Sequence, residues 1–507
     1  MFIREVKNRS GSISVQIISK VSGRYKVVKT IGSGFAHEEI LLLKQKAKHE
    51  LAILENQYTL FISHEDSLIE SYISTLSNSQ VRVVGPELIF GKIYDSIGFR
   101  SLKEKLFRHL VICRLVHPGS KLKTIDYLLR YQGVSLNVDS IYRFLDKLQG
   151  SLKHQVEQIA FDHTFKILKR KLSIIFYDLT TIYFEASNED DLRKTGFSKE
   201  GKHSHPQICL GLLVGMDGYP IGYDIFEGNI HEGKTLIPTL QKFEQKFKLS
   251  KPIVVADSGL LSSKNIEQLE TRGYKYILGA RIKNESDSIK QQILNLNLYN
   301  RQNATIKKKD NIRLIISYSD KRARKDENNR QRGLNRLEKN LNKGRLTKKH
   351  INNKGYNKYL KLTGDVKIEI DYEKFRQDRN WDGLKGYMTN SKLSSQKIID
   401  NYNNLWQIEK AFRISKTDLR IRLIYHRLRN RIEAHICIAF TAYSIYKELE
   451  RLLYKAKAPF SIKKAVELTH NIYELNITLP QSKAEKKVLL KLNDEQKILI
   501  SIIEKIL

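Results

Sequence analysis

Apolar and polar residues alternate with period two through residues 12–21 (SISVQIISKV) and 23–34 (GRYKVVKTIGSG). This pattern predicts short strands turning at Ser22-Gly23. From residue 37 to about 57 the apolar positions recur at helical spacing. Residues 101–169 also read as helices, broken at Pro118-Gly119 and near Gly133-Val134. Among them SIYRFLDKL (140–148), with a cap region at Asp139-Ser140, is a candidate second helix of a helix-turn-helix, against the blander reading of a packing helix. At Leu172 the period changes. KLSIIFYDLTTIYFE (171–185) reads as a strand, and two apolar runs then meet at Asp217-Gly218 as a hairpin. A helix over 234–247, the strand PIVVA ending just before Asp257, a helix over 264–272 and a strand over 274–278 follow. The sheet pattern then stops until about Asp382, apart from the strand-like pieces NATIKKKDNIRLIISYSD (303–320) and TGDVKIEIDYEKF (363–375) around a very basic segment. WDGLKGYMTN (381–390) returns to strand character before a long amphipathic helix beginning near Tyr402, and everything beyond Glu450 reads as helical.

The order β-β-β-α-β-α-β is the ribonuclease-H topology, in which the first and fourth strands lie side by side. The fold expected is therefore α/β: a ribonuclease-H-like catalytic core with a β-rich insertion, N-terminal β and helical regions, and a helical C-terminus. The boundaries read as 1–99 (β and helix), 100–169 (helical, candidate DNA-binding domain), 170–281 (first part of the core), 282–380 (β-rich basic insertion), 381–450 (second part of the core) and 451–507 (helical).

Charge narrows the partner. The 507 residues hold 89 Lys and Arg against 55 Asp and Glu, a net charge of +34, which favours a polyanion through counterion release. Residues 321–361 concentrate this charge, with 15 basic against 3 acidic residues. A solvated helix face explains such a run as well as a DNA contact does. Three well-separated cysteines (Cys113, Cys209, Cys437) lack zinc spacing and are expected to be reduced core residues. With no signal peptide and no apolar run of about 18 residues, the expected location is the cytoplasm, with no membrane partner. No phosphate-binding glycine loop occurs, which argues against ATP dependence.

Asp178, Asp257 and Glu409 carry the chemistry. Asp178 lies in the first core strand, Asp257 directly after the fourth, and Glu409 on the late helix. Three hard oxygen ligands converging on one point suit two divalent ions acting on a phosphodiester. On a continuous helix Tyr402, Leu405, Glu409 and Lys416 fall within an arc of about 60°, with Leu405, Ile408, Phe412 and Leu419 as the adjoining apolar stripe and Arg413 and Arg420 beside Tyr402. Trp406 is placed either to stack on an unpaired base or to enter the core. His203 and His205 have pair spacing but no third ligand nearby and read as a polar loop; Glu185 and Glu227 are acidic residues near the active strand.

Tyr402, Glu409 and Lys416 resemble, in identity and spacing, the YREK signature of DDE transposases (Tyr-x2-Arg-x3-Glu-x6-Lys). Leu405 replaces the arginine, with Arg413 a substitute on the same face. With the YDLT strand, VADSGLLS around Asp257 and the insertion before the glutamate, the chain resembles bacterial insertion-sequence transposases of the IS-four group. FEGNIHEGKT (226–235) and the long N-terminal region resemble its IS1634-like branch. The resemblance covers roughly residues 85–450. It implies cut-and-paste transposition with Asp178, Asp257 and Glu409 holding two Mg2+ ions (Mn2+ substituting). Tyr402 and Lys416 would sit on the backbone of double-stranded DNA at the element's inverted-repeat ends. A homodimer engaging ends and target DNA is implied, associated with the nucleoid when bound. A ribonuclease-H-like nuclease or resolvase without strand transfer, and a non-catalytic transposase-derived DNA-binding protein, are the alternatives.

Overall fold

The computed structural model describes residues 1–507 except 22, 56–68, 71, 75, 249–250, 261, 309–310, 353, 364–366, 423, 480–481 and 507. Half of the turn expected at Ser22-Gly23, and the end of the helix read to about residue 57, lie outside the described residues. The chain forms two compact units: residues 1–80 with 476–486, and residues 81–475 with 487–507. In the first, β1 (Phe2–Lys7), β2 (Ile13–Val21) and β3 (Arg24–Gly34) pair antiparallel in that order. The helix His37–Leu54 packs Ile40 and Ala47 against Val15 and Ile17.

The second unit opens with β4 (Val81–Val83) and a run of helices. Its centre is β5 (Ile174–Tyr183), β6 (Gln207–Val214), β7 (Pro220–Glu227), β8 (Ile253–Ala256) and β9 (Lys275–Ala280). β5, β6 and β7 are antiparallel neighbours, whereas β5, β8 and β9 run parallel. This is the ribonuclease-H-like arrangement that the element order predicts. The hairpin between β6 and β7 turns at Asp217 (φ 58°) and Gly218 (φ 74°), two left-handed residues whose twist matches that of the strands. Tyr443 donates to the Gly218 carbonyl at 2.7 Å, tying the turn to the helix Arg429–Lys455.

Alternation along the strands assigns the two faces. Ile175, Tyr177, Val254, Ala256, Tyr276 and Leu278 pack against the helix Leu236–Phe247. Phe176, Val255 and Ile277 face the other way, toward Ile398, Ile408 and Phe412. Asp178 and Asp257 share the parity of Phe176 and Val255, so both carboxylates belong to the second face.

The region expected to be a separate insertion departs from its outline. β10 (Asn303–Lys307) and β11 (Arg313–Tyr318) are strands of the main sheet. They join it through β14 (Leu384–Thr389), giving the order β10-β11-β14-β9-β8-β5-β6-β7. Leu314, Ile315 and Ile316 bury consecutively, as a two-sided sheet position requires. What protrudes between β11 and β14 is chiefly the helix Asp320–Asn342, followed by the hairpin β12 (Leu360–Thr363) and β13 (Lys367–Ile370). The basic run lies mainly on that helix. Its Leu334 and Leu337 form a small core with Tyr359, Leu360 and Ile370, leaving most of the charge solvated.

The helix Val138–Leu148 starts from Asn137, not from the expected Asp139-Ser140, and buries Ile141, Phe144, Leu145 and Leu148. Its Asp146 pairs with Arg431 at 2.7 Å, so this helix is tied into the core of its unit. The end of the chain is not wholly helical. In β15 (Tyr473–Thr478), residues Tyr473–Leu475 pair antiparallel with β4. The period-two signal of Tyr473, Leu475 and Ile477 is short and set among lysines, which obscures it. All three cysteines are free and buried, as their spacing implied. Among the described residues no helix is long and apolar enough to cross a membrane.

Candidate active site

The parallel pairing of β5 with β8 sets Tyr177 opposite Ala256, which brings Asp178 and Asp257 to adjacent strand positions. The helix Trp406–Thr417 packs Ile408, Ala411 and Phe412 onto that face and presents Glu409 from its first turn. Asp178, Asp257 and Glu409 thereby line one cavity of about 440 Å³, together with Tyr402, Trp406, Arg322 and Lys385. Three residues separated by 79 and 152 positions meet because one sheet face and one helix require it.

Asp178 and Asp257 are both engaged within the protein. The Leu179 amide donates to Asp178 at 2.7 Å, and the Lys199 ammonium stands 3.6 Å from the same oxygen. Burial pushes the Asp178 carboxyl up to about 6; Lys199 and the Leu179 amide pull the other way, while Glu232 and Asp257 add to the rise. Asp257 accepts from the Ser258 amide at 2.7 Å and from the Tyr402 hydroxyl at 2.9 Å. Among the described residues no group of three or more His, Cys, Asp or Glu stands close enough to hold a metal ion. Lys199 pairs with Asp178, and the Tyr402 hydroxyl donates to Asp257. The donor set, three carboxylates on one polar cavity, fits a hard divalent ion.

The continuous helix assumed from Tyr402 onward is in fact two. Ser395–Asn403 ends at Asn404-Leu405, where Leu405 N–H bonds back to Tyr402 with three-residue spacing, and a second helix runs from Trp406 to Thr417. Arg420 lies beyond it, at φ 44°, so the helical angles do not carry over to Tyr402 or Arg420. Tyr402, expected on the DNA backbone, is buried and bonded to Asp257, with Lys385 4.4 Å from its ring centre. Lys416, also expected on a phosphate, donates instead to Thr180 at 2.6 Å and Glu200 at 2.7 Å. Trp406 is 52% exposed and Arg413 is exposed, both open to a ligand passing the cavity.

His203 accepts from the Ser198 amide, and His205 faces Glu185 at 3.8 Å, so both close a polar loop as read. Glu227 ends β7, exposed. Lys199 and Lys385 escaped the sequence reading, which held Arg322 only as part of the basic run and Glu232 only within FEGNIHEGKT. Burial, helped by Arg322, lowers the Lys385 pKa, while Asp257 and Glu409 oppose the drop. Only their positions after packing mark them out.

A family model described as the transposase DDE domain matches residues 169–445, more than half of the chain. The chain belongs to the DDE transposase family. The matched span of this transposase begins just before β5 and ends within the helix Arg429–Lys455, enclosing all three carboxylates. Among solved structures, the transposase is similar to the piggyBac transposase synaptic complex with hairpin DNA, at 10% identity and TM-score 0.37, over 76% of each chain. No curated protein matches it in sequence.

Gly279 on β9 lets Tyr402 reach Asp257. A Cβ at Gly279 would meet the Tyr402 hydroxyl at 2.3 Å and the Ser258 amide at 3.1 Å. Gly279→Ala is therefore expected to cost about 1–3 kcal/mol of stability. It should also detach Tyr402 from Asp257, seen as a lower phenol pKa in ultraviolet titration, since burial and Asp257 now hold that pKa high. An unchanged titration would mean that the hydroxyl does not rest on Asp257.

Proposed function

We propose that the chain is the transposase of a bacterial insertion sequence of the IS-four group, IS1634-like branch, acting on double-stranded DNA by cut-and-paste transposition. The observation that supports this most directly is the single cavity shared by Asp178, Asp257 and Glu409. In this reading the three carboxylates hold two Mg2+ ions, for which Mn2+ substitutes. When bound, such ions activate the attacking oxygen and stabilise the leaving one in in-line displacement at phosphorus.

The chain's own residues do the rest. Tyr402 orients the Asp257 carboxylate through its hydrogen bond. Lys385 and Arg322 add positive charge to the cavity wall, where a phosphodiester backbone must pass. Trp406 offers an exposed ring beside Glu409 for a base drawn out of the duplex. Arg413 and Arg420 are exposed and available to phosphates. The YREK carry-over assigns Tyr402 and Lys416 to the end DNA, and both must leave their present partners to serve there. A homodimer holding both inverted-repeat ends in the bacterial cytoplasm completes the proposal.

The test is a duplex carrying the inverted repeat that flanks the coding sequence. With Mg2+, the purified protein should cut at the repeat's end and join the freed 3′ hydroxyl to target DNA. Cutting without joining would favour a nuclease or resolvase. Binding without cutting would favour a non-catalytic DNA-binding protein.

A further inference from the structure

Two adjacent loop residues face opposite ways into the site. The Lys199 ammonium sits between two carboxylates, 3.6 Å from Asp178 and 3.0 Å from Glu232, and donates to the Leu179 carbonyl at 2.6 Å. The next residue, Glu200, accepts from Lys416 at 2.7 Å and from Arg422. Lys416 also holds Thr180, two residues along β5 from Asp178.

We propose that Lys199-Glu200 is a built-in surrogate for the two ligands of the site. Lys199 stands at a divalent-cation position on Asp178, Glu200 stands at a DNA-phosphate position in a cradle of Thr180, Lys416 and Arg422, and one movement of the loop clears both. The inference rests on the metal-dependent DNA reading given above and adds a phosphate-binding role for Arg422 and a coupling between the two ligands.

The chemistry matches on both sides. A single positive charge shared by two carboxylates does the electrostatic work of a metal ion, without its coordination. A guanidinium and an ammonium converging on two oxygens of one anion form the arrangement that receives a phosphodiester. Neighbouring Cα atoms lie about 3.8 Å apart, so a backbone movement that withdraws one side chain withdraws the other. The loop is anchored to the sheet where Gln207 donates to the Phe197 carbonyl at 2.9 Å, and the Lys199 amide donates to Thr181 at 3.3 Å, the bond that the movement must break. Beyond Ser198 its internal bonds, Gly201 N–H to Ser198 and Glu200 N–H to the Ser198 hydroxyl, are local, and Gly201 is left-handed with no described atom within 4 Å of a built Cβ. Phe197 at its start is 75% exposed.

The decisive effects are crossed ones. Glu200→Gln does not touch Asp178, yet it should raise Mn2+ affinity about fivefold or more without DNA, as linked sites require. Lys199→Gln breaks no hydrogen bond of Lys416 and removes a cation that acts on it directly, which alone would weaken DNA binding; it should nevertheless tighten binding of a mixed-sequence 30-base-pair duplex by a similar factor of about five without metal, because Glu200 is released. Mn2+ is read by electron paramagnetic resonance and the duplex by fluorescence anisotropy, with Glu200→Ala and Lys199→Met as second variants should an isosteric one melt early. If each variant alters only its own ligand, or neither alters anything, the surrogate is overturned while the transposase reading stands. If the wild type binds no Mn2+, or Asp178→Asn binds it equally well, both fall.

Discussion

Asp178→Asn is expected to lower Mg2+-dependent cleavage of inverted-repeat DNA by about a thousandfold or more, with duplex affinity held within about threefold. The amide keeps the shape of the side chain but loses the charge that a divalent ion needs. Asp257→Asn and Glu409→Gln should do the same, because each lines the same cavity from a different element. Affinity should survive because phosphate contacts come from cations elsewhere on the protein. Single-turnover cleavage and anisotropy on the same preparations separate the two effects. A variant that still cuts and joins near the normal rate removes that residue from the ligand set. Parallel loss of cutting and binding in all three would make the carboxylates structural.

The core of this site is legible in the sequence because its signals are local. IIFYDLTTIY and IVVA announce buried strands, Asp217-Gly218 announces a hairpin, and once β5 and β8 are neighbours Asp178 and Asp257 must be too. What stayed hidden was set by contacts distant in sequence. The apolar stripe through Leu405, Ile408 and Phe412 runs unbroken past Asn404-Leu405, so periodicity alone does not reveal that the helix ends and restarts there. β10 and β11 look like parts of an insertion until β14, 66 residues after β11, draws them onto the sheet. Lys199 and Glu200 lie in a polar loop without periodicity, and their partners are 21 residues back and 216 residues on. Charge identity is readable from a sequence; charge pairing across a fold is not.

Stability should rise with pH over two separate windows, because burial holds one cluster of bases below their unfolded pKa values and Asp146 offsets only part of that. Burial pushes His426 down to about 4, with Lys121, Arg431 and Arg114 adding to the drop and Asp146 opposing it. Burial and Arg114 push Lys121 down to about 7 against a small opposing influence of Cys113. His435 moves the same way, its Nε2 on the Ile421 carbonyl and its Nδ1 without a partner among the described residues. For each base the folded pKa lies below the unfolded one, so between the two values the unfolded chain binds more protons and stability climbs with pH. His426 should give a slope of about 1.4 kcal/mol per unit between pH 4 and 6.5, a total of about 3 kcal/mol lost on acidification through that window. Lys121 should give a similar slope of about 1.4 kcal/mol per unit from pH 7 upward toward its unfolded value of 10.5. Lys121→Met should abolish the alkaline slope and stabilise the protein at pH 6 by about 1–4 kcal/mol, since an apolar side chain of similar volume carries no charge to desolvate. Urea denaturation at pH 4.5, 6, 7.5 and 9 measures all of this. A wild type whose midpoint is flat from pH 7 to 9, or a Lys121→Met variant less stable at pH 6, would mean that Lys121 has an anionic partner in solution and that the cluster is balanced.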